Sequence, residues 1–78
     1  MTKKEFLSEA ELAALAKKLR EKAGKKRAQA ARDMGVSQTS IFHAEESPEQ
    51  SLAKLRVRMI ETYSRFKVRG PVYLLEEK

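Results

Sequence analysis

At 78 residues the chain has room for one small hydrophobic core, which argues for a single domain and leaves little space for an enzyme cleft. Charged residues make up 36% of it, with 17 Lys and Arg against 11 Asp and Glu, so a compact domain with a densely charged, basic surface is expected rather than a disordered chain. With no cysteine, neither a disulfide framework nor a thiolate metal site is available, the single His43 cannot make a zinc site alone, and no cofactor or metal is expected.

No run of about 18 apolar residues occurs, and the start, Met1 to Leu7, turns polar too soon for a signal-peptide core. A cytoplasmic protein without membrane contact is the expectation. The positive charge is clustered: from Lys17 to Arg32 stand Lys17, Lys18, Arg20, Lys22, Lys25, Lys26, Arg27 and Arg32 against Glu21 alone. Such a patch suits a polyanion, whose condensed counterions are released as phosphates are neutralised, although a solvated helix face has the same composition.

Ser8 with Glu11 forms a capping-box pattern, and Leu7 with Leu12 can add a hydrophobic staple. Leu12, Leu15, Ala16, Leu19 and Ala23 then recur at helical spacing up to Gly24, which predicts a first helix from about Glu9 to Ala23. After Lys25-Lys26, the segment Arg27 to Met34 combines strong helix formers with small residues at Ala28, Ala30 and Ala31 that allow another helix to approach closely. Gly35 follows, and Ser37 is placed to cap a third helix from Gln38 to Glu45. Two short helices joined by a Gly-containing turn make a helix-turn-helix over about 27–45.

Ser47-Pro48 ends the third helix. Leu52, Leu55, Met59, Ile60, Tyr63 and Phe66 describe a fourth, amphipathic helix from about Ser51 to Arg65 that closes the core against helices 1 and 3. Gly70-Pro71 breaks any helix, and Val72-Tyr73-Leu74-Leu75 reads as a strand within about 70–76. Its partner is either the stretch Phe66 to Arg69 or the same segment of a second chain. The fold class is therefore mainly α: four helices with a helix-turn-helix, plus a short C-terminal β segment.

The stretch from Arg27 to Glu45 resembles the helix-turn-helix of the phage lambda repressor and Cro family. Ala31, Gly35, Val36, Ser37 and Ile41 stand where that pattern has its mid-helix Ala, turn Gly, apolar residue, Ser or Thr, and anchoring Ile or Val. The match is close over about 20 residues and looser over about 55. The resemblance implies a double-stranded DNA-binding regulator whose third helix enters the major groove, with Gln38, Thr39, Phe42 and His43 as the base-reading set. Phe42 could equally cover part of the core. It further implies a partly buried structural pair between Arg20 and Glu45, and phosphate contacts from Lys25, Lys26, Arg27, Arg32 and Ser37.

The chain departs from the family at three places. Arg27 stands where the family often has a Gln, and Lys26 replaces the usual capping Ser or Thr, at a cost of about 1 kcal/mol. The C-terminal β segment is similar to that of Cro-type members that pair across a dimer, which makes Val72, Tyr73, Leu74 and Leu75 dimerisation candidates. The expected function is a sequence-specific transcriptional regulator, a repressor working as a homodimer. The alternative is an antitoxin-like or phage-encoded interaction module whose C-terminal segment grips another protein. An enzyme is not expected, because no nucleophile, base and orienting acid occur at matching spacing.

Overall fold

The computed structural model describes residues 7–69 and 74–77. Four helices, α1 (Glu9–Lys22), α2 (Arg27–Met34), α3 (Gln38–Glu46) and α4 (Ala53–Thr62), precede two strands, β1 (Phe66–Arg69) and β2 (Leu74–Glu77).

Local chemistry accounts for most of the boundaries. The Ser8 hydroxyl accepts from the Glu11 amide at 3.1 Å while the Glu11 carboxylate accepts from the Ser8 amide at 2.8 Å, so two N–H groups without helical partners are satisfied at the start of α1. Gly24 and Gly35 have φ of 73° and 71°, the left-handed conformation that ends α1 and α2 at no steric cost. The Ser37 hydroxyl accepts from the Ser40 amide at 3.1 Å and opens α3. Lys26 cannot cap with its side chain, yet its amide donates to Gln29 Oε1 at 3.4 Å, a weak contact that returns one arm of a capping box to α2.

The core gathers Leu12, Ala16 and Leu19 from α1, Ala30, Ala31 and Met34 from α2, Ile41 and Ala44 from α3, and Leu55, Met59 and Ile60 from α4. Fully burying a side chain the size of Leu12, Ile41 or Met59 stabilises the fold by about 1.5–3 kcal/mol each. Ala30, Ala31 and Ala44 of the helix-turn-helix are buried, and their small side chains allow close approach, with Met34 and Ile41 supplying the larger apolar groups. Ala23, expected on the apolar stripe, is exposed, because the helix has already ended at Lys22.

The fourth helix is shorter than its apolar periodicity predicts. Ser51 does not start it; Leu52 occupies the cap position, without a side-chain cap. At the other end the Ser64 hydroxyl donates to the Ile60 carbonyl at 2.5 Å and accepts from the Phe66 amide at 3.0 Å, which turns the chain out of the helix. Phe66 therefore begins β1 instead of extending α4. The Val68 amide donates to Glu61 Oε2 at 3.0 Å, and the Val68 side chain joins the core, so β1 is docked on α4.

Of the two partners open to the C-terminal strand, the one found is in the same chain. β1 and β2 run antiparallel with Phe66 opposite Glu77, Lys67 opposite Glu76, Val68 opposite Leu75 and Arg69 opposite Leu74. The observed strand lies at 74–77, later than the expected 70–76. Val72 and Tyr73 lie outside the described residues.

Candidate nucleic-acid interface

The geometry of α3 divides its side chains by direction. Ile41, Ala44 and Glu45 are buried, whereas Gln38, Thr39 and Phe42 are exposed and His43 is half-buried. Among the described residues, the side chains of Gln38 and Thr39 make no hydrogen bond, so two amide or hydroxyl groups at the start of α3 face solvent with donors and acceptors unused. His43 is partly committed: its Nδ1 lies 3.0 Å from Ser47 Oγ and 3.3 Å from Gln50 Nε2. The Ser37 hydroxyl is committed too, through the Ser40 amide and the Ser40 hydroxyl at 3.0 Å.

Two arginines from α4 meet the C-terminal ends of α2 and α3, and nothing in the helix-turn-helix pattern points to them. Arg56 is fully buried; its Nε donates to the Ala44 carbonyl at 2.8 Å, its Nη2 to the Ser47 carbonyl at 2.8 Å and its Nη1 to the Gln50 carbonyl at 3.1 Å. Nη1 also meets Glu9 Oε1 of α1 at 2.7 Å. Arg58 Nη2 donates to the Met34 carbonyl at 2.9 Å, at the end of α2. Cations at helix C-termini satisfy orphan carbonyls and oppose the negative end of the dipole. One sequence signal was available: position 56 falls inside the Leu52, Leu55, Met59, Ile60 ladder, where a charge has to be buried.

A chain of charges links the helix-turn-helix to α1. The Glu45 carboxylate, with no exposed side-chain surface, accepts from Arg20 Nε at 2.6 Å, Arg20 Nη2 at 3.0 Å and Arg27 Nε at 3.0 Å. The bond to Glu45 holds the Arg20 guanidinium above its ordinary pKa, and its Nη1 donates to the Lys25 carbonyl at 2.7 Å. Arg27 Nη2 donates to Glu46 Oε2 at 2.9 Å, and Lys17 Nζ reaches the same oxygen at 2.8 Å. These bonds lower the Glu46 pKa, Lys17 being the largest influence, and Glu46 in turn raises that of Lys17.

The expectation that Arg27 contacts phosphate therefore meets a side chain already occupied by two carboxylates. Its guanidinium also stacks over Phe42, 5.1 Å from the ring centroid. Among the described residues, Lys18, Lys22, Lys25, Lys26 and Arg32 carry no ion pair, and all but the half-buried Lys25 are exposed. They make up the available basic surface of α1, α2 and the link between them, with Lys26 and Arg32 towards either end of α2.

Comparison with known proteins found no matching family model, curated protein or solved structure. The functional reading rests on the chain's own residues. Among the described residues, no cluster of three or more His, Asp or Glu is arranged to hold a metal ion, and no helix is long and apolar enough to cross a membrane.

Proposed function

We propose that this chain is a sequence-specific double-stranded DNA-binding regulator that represses transcription as a homodimer on a two-fold symmetric operator. The observation that carries the reading is the division of α3. Its inner face is anchored by Ile41, Ala44 and the bound Glu45, while Gln38 and Thr39 stand exposed with unused hydrogen-bonding groups at its first turn.

That arrangement matches what groove reading requires. A Gln amide can pair with adenine N6 and N7, and a Thr side chain offers a hydroxyl and a methyl group to base edges. Lys25, Lys26 and Arg32 on and before α2 supply charge for the flanking phosphates, and their neutralisation releases counterions. The homodimer draws support from the hairpin, whose β2 is paired on one side by β1 within a two-stranded sheet among the described residues. Among the described residues no strand pairs with the other edge of β2, and a second copy adding there would continue the ladder.

Selection of bound duplexes from a random pool, followed by salt titration on selected and random sequences, tests the proposal. A recovered two-fold symmetric sequence, bound more tightly than random duplex at every salt concentration, is the expected result. Steep salt dependence with no selected sequence reduces the protein to a generic polyanion binder.

A further inference from the structure

Phe42 is the large apolar side chain left exposed among the described residues, at 43% of its surface. At about 100° per residue it lies about 40° around α3 from Gln38 and about 60° from Thr39, so the ring projects between the two side chains assigned to base reading. An exposed apolar group on an otherwise polar face points to an apolar feature on the partner.

The ring is also held. The Arg27 guanidinium covers it at 5.1 Å, and the His43 ring meets it edge-on at 5.4 Å with an interplanar angle of 74°. Arg27 is fixed by Glu45 and Glu46, and Glu45 by Arg20, so the brace on the ring runs back to α1. A side chain oriented before binding loses less rotamer freedom when it docks. In the major groove, G, A and C present nitrogen and oxygen donors and acceptors; the apolar group on a base edge is the C5-methyl of thymine.

We propose that Phe42 reads the C5-methyl group of a thymine in the operator, and that Arg27 is a positioning residue that sets the ring against it instead of contacting phosphate. This inference rests on the DNA-binding reading above and names one of the bases read. It assigns the Arg27 departure from the resembling family a purpose: the longer, charged side chain reaches from α2 over the ring while bonded to the end of α3.

The test replaces each thymine of the selected duplex, one at a time, by deoxyuridine, which deletes the methyl group alone. The wild-type protein is expected to lose about fourfold in affinity at one position per half-site, the value of one buried methyl group. Phe42→Ala is expected to bind both duplexes equally at that position, and Phe42→Leu to keep part of the discrimination. Arg27→Met, which retains the ring, is expected to reduce the discrimination, an effect that a merely structural role for Arg27 does not produce. Melting curves check that each variant is folded.

If the wild type is indifferent to deoxyuridine everywhere, or Phe42→Ala keeps the full discrimination, the thymine assignment is overturned while the DNA-binding reading stands. If Arg27→Met discriminates as the wild type does, the positioning role of Arg27 is overturned. If selection recovers no preferred duplex, both readings fall together.

Discussion

Arg56 Nε donates to the Ala44 carbonyl at 2.8 Å from a side chain with no exposed surface, so the end of α3 is held by a cation belonging to α4. The same guanidinium reaches Ser47, Gln50 and Glu9, and among the described residues no buried side-chain polar atom is without a partner. A buried charge is tolerated because each of its three nitrogens is answered by a carbonyl, Nη1 also by the partly exposed Glu9. Arg56 thus holds the C-terminal end of α3, while Ile41, Ala44 and the Arg20-bound Glu45 anchor its inner face.

Arg56→Met keeps most of the volume but leaves the carbonyls of Ala44, Ser47 and Gln50 without their donor. Destabilisation of about 3 kcal/mol is expected in urea unfolding, from the loss of several hydrogen bonds to a charged group. Arg56→Lys recovers only part of it, because one ammonium cannot span three carbonyls and Glu9 as the planar fork does. A midpoint unchanged in Arg56→Met contradicts this account.

Glu45→Ala strands the buried Arg20 and half-releases Arg27. The expected cost is about 3–5 kcal/mol, the usual penalty for removing one member of a buried ion pair. Replacing Arg20 and Glu45 together by Met recovers much of that stability, since no uncompensated charge remains at the centre. Chemical denaturation of the two single variants and the double variant measures the coupling. Additive losses count against a direct pair.

Lys26→Ala and Arg32→Ala are each expected to lower the slope of log affinity against log salt by about 1. Arg27→Ala is expected to change that slope less, since its charge is engaged by Glu45 and Glu46 in the free protein, and to reduce folding stability instead. Titration of the three variants on one duplex separates the two behaviours; an Arg27 slope change equal to that of Lys26 identifies it as a phosphate contact after all.

The Lys17 to Glu46 pair predicts opposite effects at the two ends of the pH scale. Glu46, its pKa lowered in the folded state below the ordinary 4.5, contributes stability that is present above 4.5 and is lost as pH falls through the lowered value. Lys17, raised above 10.5, contributes stability that is present below 10.5 and is lost as pH rises through the raised value. Both groups face solvent, so screening keeps the effect small. An NMR titration should place the Glu46 carboxyl midpoint below 4.5 and move it upward in Lys17→Met, with Arg27 retaining part of the shift.

The amino-acid sequence by itself determined what depends on neighbours in the chain. The capping of α1 by Ser8 and Glu11, the stops at Gly24 and Gly35 and the start of α3 at Ser37 each involve hydrogen bonds across three or four residues or a single backbone conformation. Those preferences act whatever the rest of the molecule does. The apolar stripe of α4 was legible for the same reason, but its length was not, because the periodicity of Tyr63 and Phe66 continues past the point where Ser64 takes the Ile60 carbonyl.

Only the tertiary structure decided where the long side chains of Arg27 and Arg56 go. An arginine has several rotatable bonds and can meet a carboxylate, a carbonyl, a phosphate or a ring, and the choice is made by what folding brings within reach. For Arg27 that was Glu45, 18 residues away; for Arg56 it was Glu9, 47 residues away, together with the carbonyls at the end of α3. The C-terminal strand posed the same question to the backbone, and the core position of Val68 on α4 set β1 beside it as the nearest ladder to complete.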